Sequence, residues 1–99
     1  MYSRDMRTTE KTVLNPSGIH LRPAAIFVKA AAGFASRITL ENVTLGKPPQ
    51  DAKSMIGVMT AGSRQGHQVR ITAEGPDEDA AIEALEAAID GGLGETLPA

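Results

Sequence analysis

The sequence predicts an α+β domain, an antiparallel sheet with helices on one of its faces, in the order β–α–β–(β)–α–β–α. Three observations carry this. Ser36–Glu41 and Gln68–Glu74 place apolar residues at alternate positions (Ile38, Leu40; Val69, Ile71, Ala73), the period of a half-buried strand. Ala24, Phe27, Val28 and Ala31, and again Ala81, Ile82, Leu85, Ala88 and Ile89, recur at helical spacing and form one apolar stripe each. The length, 99 residues, is that of one domain. The pattern alone leaves a ferredoxin-like split βαβ fold open beside the two-layer sandwich.

Residues 1–10 mix both charge signs without a period and read as a flexible N-terminal extension; 11–95 form the domain and 96–99 a C-terminal tail. The first strand is expected over Lys11–Asn15, with Val13 pointing inward. Asn15, Pro16 and Gly18 punctuate a turn, after which a helix runs from Leu21 to Ala32 and stops at Gly33. Pro23 fits only in its first turn, where the missing N–H has no intrahelical partner. Beyond the strand Ser36–Glu41, the segment Asn42–Asp51 contains Gly46, Pro48 and Pro49, which limit it to a short edge strand or a loop.

Ala52–Ala61 reads as a short helix ending near Gly62. Its apolar residues Met55, Ile56, Val58 and Met59 surround the cylinder, so some are expected at the surface, where flexible methionines suit docking. The competing reading is that they fill an irregular core gap. After the strand Gln68–Glu74, Asp77 is placed to cap the last helix, with Glu78 and Asp79 in its first turn. Glu83, Glu86 and Asp90 read as its solvated face, and Gly91-Gly92 stops it. From Leu93 onward the chain is expected to fray. His67, at the start of a strand, reads as a surface residue.

Composition excludes several functions. Without cysteine there is no disulfide framework, thiolate metal site or cysteine nucleophile, and two histidines do not make a zinc centre. Neither a metal nor a cofactor is expected. A formal net charge of −2 argues against a nucleic-acid binder that relies on a broad basic surface. No apolar run reaches the length of a membrane span, and residues 1–10 lack the apolar core of a secretory signal, so a cytoplasmic monomer without membrane insertion is the expectation.

The chemically suggestive stretch is Ser17-Gly18-Ile19-His20-Leu21-Arg22-Pro23-Ala24. It puts His20 at or just before a helix N-cap and Arg22 in the first turn. A helix start offers unpaired N–H groups and a partial positive charge, and is an anion site. If His20 carried a phosphoryl group, the backbone N–H groups of Leu21 and Arg22 would hold its oxygens and the Arg22 guanidinium would add charge-assisted hydrogen bonds. Residue types alone do not separate this from a histidine that merely occupies a cap.

That stretch resembles the active-site signature of the HPr family, the histidine-containing phosphocarriers of the phosphoenolpyruvate:sugar phosphotransferase system. Lys53-Ser54-Met55-Ile56-Gly57-Val58-Met59 resembles the family's serine-site signature, and Gln68–Ala88 its C-terminal half, so the resemblance covers about residues 12–95. It implies an open-faced β-sandwich, four antiparallel strands with three helices on one face. It also implies a carrier rather than an enzyme: His20 takes a phosphoryl group at Nδ1 from phosphorylated enzyme I and hands it to IIA domains of sugar permeases, with Arg22 steadying the group. Ser54 is implied as a regulatory phosphorylation site for an HPr kinase/phosphorylase. The implied docking surface is Leu21, Ala25 and Lys29 with Met55, Ile56, Met59 and Thr60, rimmed by Lys29, Arg22 and Lys53. The chain departs from the family pattern at Leu21, bulkier than the usual small residue, over the long Gly46–Asp51 segment, and in its N-terminal extension. A carrier in a nitrogen-regulatory or dihydroxyacetone-kinase phosphorelay, or a regulatory paralogue acting through Ser54, is the alternative, although retention of His20 argues against the last.

Overall fold

Gln68–Glu74 carries the inward sequence Val69, Ile71, Ala73, all fully buried, and runs through the middle of a sheet with antiparallel neighbours on both sides. In the computed structural model, which describes residues 6–97, the elements are β1 (Arg7–Thr12), α1 (Leu21–Ala32), β2 (Arg37–Asn42), β3 (Gln50–Asp51), α2 (Met55–Ala61), β4 (Gln68–Glu74) and α3 (Glu78–Asp90). The four-stranded sheet has the order β1-β4-β2-β3. Thr39 and Leu40 pair on one side with Thr72 and Ile71 and on the other with Asp51 and Gln50.

One face of this sheet is apolar because Ile38 and Leu40 align with Ala73 and Ile71 across the strands. Ala24, Phe27 and Ala31 of α1, Val58 and Ala61 of α2, and Ala81, Ile82, Leu85 and Ile89 of α3 close over it, all fully buried. α3 lies on β1 and β4, α2 on β2 and β3, and α1 packs against both other helices. The opposite face is polar and open. Arg70 at its centre donates to Glu10 at 2.8 Å and to Glu41 at 3.1 Å. This is an open-faced α+β sandwich with three helices on one side.

β1 differs from expectation. It starts at Arg7, so Arg7–Glu10 belong to the sheet rather than to an extension, while the expectation for residues 1–5 lies outside the described residues. Val13 lies beyond the strand's end yet is fully buried. No apolar alternation marks this strand, because its inward positions are polar: register places Arg7, Thr9 and Lys11 opposite Ala73, Ile71 and Val69. Their side chains reach α3 instead of a core, as Arg7 donates to Asp79 (2.8 Å), Thr9 to Glu86 (2.5 Å) and Lys11 to Asp90 (2.9 Å). Glu86 and Asp90 are therefore partners of the edge strand and not simply a solvated face.

Four further expectations are corrected. The second helix begins at Met55, because Ala52 and Lys53 form a turn stabilised by a bond from Lys53 N to the Asp51 carboxylate at 2.9 Å. Asp77 holds the N-cap position of α3 without capping it. Its carboxylate is taken by the Ser36 hydroxyl, the Ala35 N–H (2.8 Å) and the Ser36 N–H (2.9 Å), which hold it below the usual carboxylate range. The segment after α3 folds back, with Leu93 only 2% exposed. His67 is half-buried and hydrogen-bonded through its ring to the Arg64 N–H at 3.1 Å.

Candidate functional site

α1 begins as the sequence requires. His20 is its N-cap, with extended backbone (φ −97°, ψ −164°), and its side chain makes no cap bond. The His20 carbonyl accepts the Ala24 N–H at 2.6 Å, the first bond of the helix. Pro23 has no N–H to offer, so the N–H groups of Leu21 and Arg22 are the backbone donors left at this end. The His20 side chain is exposed, and neither it nor Arg22 has a hydrogen-bond or ion-pair partner among the described residues. A neutral imidazole in that setting presents a lone pair to solvent, next to two backbone donors and an exposed cation.

The loop that delivers His20 is anchored twice. Gly18 takes φ +66°, and a Cβ there would lie 2.5 Å from the Ser63 carbonyl oxygen, so only glycine permits this approach. Ile19 N–H donates to that same carbonyl at 2.9 Å. On the other side, Asn15 is fully buried and its Nδ2 donates to Gly18 O (2.7 Å) and Glu95 Oε1 (2.9 Å). Glu95 also accepts the Ser17 N–H at 3.1 Å. Bonds from Ser17 and Asn15 hold the Glu95 carboxyl below its usual range, and the nearby Arg22 charge adds to this. Sequence reasoning missed Glu95, since a carboxylate after Gly92-Leu93-Gly94 carries no period to mark it. The turn itself was marked by Asn15, Pro16 and Gly18, but none of them points to a carboxylate 80 positions away.

Ser54 is the N-cap of α2, and its hydroxyl accepts the Gly57 N–H at 3.0 Å. Leu21 (64% exposed) and Ile56 (81% exposed) present apolar side chains on the adjoining helices α1 and α2. Ala25, Lys29 and Thr60 are exposed on the same two helices. Met55 and Met59 are half-buried against the core, so they serve packing as well as surface. Lys53 leaves the expected cationic rim, because its Nζ donates to the Phe34 carbonyl at 2.7 Å. A groove beside His20 is lined by Ile19, Leu45, Lys47, Met59 and Arg64, among others. Among the described residues no group of three or more His, Cys, Asp or Glu side chains gathers as a metal site, and no helix is long and apolar enough to cross a membrane.

Fold and site together define a small open-faced α+β domain that presents a histidine to solvent at the start of a helix. The family model for the PTS HPr component phosphorylation site matches residues 7–90, beginning where β1 begins. Over 88 residues the chain is 42% identical to the multiphosphoryl transfer protein of Haemophilus influenzae, covering 89% of this chain and 18% of that protein. It spans about a fifth of the length of the multiphosphoryl transfer proteins it matches. With the phosphocarrier protein HPr of Treponema pallidum it shares 45% identity over 74 residues, 75% of this chain and 81% of that one. The crystal structure of HPr-C-His from Thermoanaerobacter tengcongensis superposes with a TM-score of 0.85 at 40% identity, covering 92% and 99% of the two chains. The chain belongs to the HPr family of phosphocarriers of the phosphotransferase system.

Proposed function

We propose that His20 is the phosphoryl acceptor and donor of this carrier, loaded by phosphorylated enzyme I and discharged to IIA domains of sugar permeases in the cytoplasm. The observation that carries this is the exposed imidazole at the N-cap of α1, without a partner among the described residues, beside the N–H groups of Leu21 and Arg22. The Nδ1 lone pair of neutral His20 attacks the donor's phosphorus in line. A new N–P bond forms as the donor's N–P bond breaks; the donor phosphohistidine, protonated on its other ring nitrogen, leaves as neutral imidazole, and His20 keeps its own proton on Nε2. The two backbone donors and the Arg22 guanidinium take the charge on the phosphoryl oxygens. Transfer onward is the same step in reverse with a new acceptor.

Leu21, Ala25 and Lys29 with Met55, Ile56, Met59 and Thr60 supply the docking face, an apolar centre with cations Lys29 and Arg22 at its margin that suits an acidic partner. Ser54 is the regulatory position for an HPr kinase/phosphorylase. Its hydroxyl sits at the start of α2, within the docking face, where an added dianion repels an acidic partner. The test is incubation with enzyme I and phosphoenolpyruvate, followed by intact mass and acid treatment. One acid-labile phosphoryl group on the wild type and none on His20→Ala supports the reading; an unmodified wild type with enzyme I from the same cell refutes it.

A further inference from the structure

We propose that His67 is a positioning residue for His20, its ring pinning the ledge on which the His20 loop rests. The proposal builds on the carrier reading above. Residues 63–67 belong to no helix or strand, yet they support the loop between β1 and α1 at four points. Val13 N donates to His67 O (2.9 Å) and Gly66 N to Val13 O (2.8 Å). Gln65 Nε2 donates to Leu14 O (3.1 Å), and Ile19 N, one residue before His20, donates to Ser63 O (2.9 Å). Within the ledge the His67 N–H donates to Arg64 O at 2.9 Å, and the His67 ring adds a side-chain anchor to that turn.

His67 supplies that anchor from the ledge's own end. The Arg64 N–H can only donate, and it points at His67 Nδ1 at 3.1 Å. Nδ1 therefore carries the lone pair, and the ring proton is on Nε2. The same Nδ1 lies 3.1 Å from Asn42 Nδ2, which this tautomer makes a second donor. Asn42 is itself immobile: fully buried, it also donates to Ala61 O (3.1 Å) and accepts the Leu45 N–H (2.9 Å). Direct bonds thus run from a buried asparagine through His67 to Arg64, while the neighbouring Ser63 carbonyl holds Ile19. Because the His20 ring has no partner among the described residues, its aim is set by this backbone, and transfer geometry is sensitive to shifts on the order of 1 Å.

The experiment compares wild type, His67→Phe and His67→Asn in acceptance of phosphate from phosphorylated enzyme I, with amide hydrogen exchange at Ile19 and Arg64. Asparagine places its Oδ1 where Nδ1 stood; phenylalanine keeps a ring and removes the acceptor. In His67→Phe, kcat should fall roughly 2- to 10-fold and Ile19 should exchange faster by a similar factor, the scale of one lost hydrogen bond. KM should stay within about twofold because the docking face is untouched, and His67→Asn should recover most of both. Unchanged kcat and Ile19 exchange in His67→Phe, or a loss that His67→Asn does not recover, overturns the proposal. If His67→Phe fails to fold, the wild-type imidazole ¹⁵N spectrum decides: an Nδ1–H tautomer for His67 overturns the clamp, and a lone pair on Nδ1 with native behaviour of His67→Asn upholds it. Should the wild type accept no phosphate at all, the carrier reading fails while exchange and tautomer still judge the clamp.

Discussion

Gly18 and Gly46 adopt the same left-handed backbone, φ +66° and +65°, but in opposite surroundings, so the pair separates two costs of adding a methyl group. At Gly46 a Cβ meets nothing within 4 Å, and Gly46→Ala isolates the conformational term, about 1–2 kcal/mol. At Gly18 the Cβ falls 2.5 Å from Ser63 O and 2.7 Å from Arg64 Cα, both backbone atoms that no rotamer change can move. Gly18→Ala should therefore lose that same term plus about 1–3 kcal/mol for forcing the two segments apart. The displaced atoms belong to the ledge that accepts the Ile19 N–H, so the His20 loop shifts with them. Phosphoryl acceptance in Gly18→Ala should fall by about tenfold or more, a misplacement effect, while Gly46→Ala keeps wild-type activity. Urea denaturation of both variants, with the slope checked against wild type, measures the stability difference. Equal losses in the two variants would refute the close-approach argument, and a normally active Gly18→Ala would refute its link to His20.

Other consequences follow from the same contacts. Ser54→Ala removes the α2 cap and should lose about 1 kcal/mol in urea denaturation, with Ser54→Asp recovering most of it; no loss would mean that the Gly57 N–H bond contributes nothing. Glu95 and Asp77 both have folded-state carboxyl pKa values depressed by hydrogen bonds, so each contributes stability that is complete above its unfolded value and lost as pH falls through its folded value. Urea midpoints of Glu95→Gln and Asp77→Asn should lie below wild type at neutral pH and converge with it on acidification below the ordinary carboxylate range; a gap independent of pH would sink this. The Lys11–Asp90 pair, at 2.9 Å with its lysine largely covered, ties β1 to α3. A double-mutant cycle should give about 0.2–1 kcal/mol at low salt, shrinking near 1 M as the charges are screened, and a coupling insensitive to salt would contradict an electrostatic latch.

Residues whose neighbours along the chain determine their role were legible without coordinates. Leu21–Ala32 is helical over the expected span because its apolar spacing, Pro23 and Gly33 act within a few residues of one another. β4 was likewise readable, since Val69, Ile71 and Ala73 alternate and are buried. The local setting of His20 followed from the same short-range logic, a turn ended by a proline that tolerates only the first helical turn.

What depended on partners far along the chain was decided by tertiary structure alone. Alternation marks a strand only when one face meets apolar groups, and β1 meets the carboxylates of α3 instead, residues 72 to 79 positions away. Asp77 sits at a helix start, yet the strands' packing brings Ser36 and Ala35 to its carboxylate before the helix can use it. Glu95 is joined to the His20 loop across 80 residues to Asn15, and His67 to Asn42 across 25. Hydrogen bonds are directional and short, so they form where the folded backbone brings a donor to an acceptor, and no spacing in the sequence records that meeting. The sequence by itself thus determined α1, β4 and the histidine at a helix start; the tertiary structure determined where β1 pairs and what holds that histidine in place.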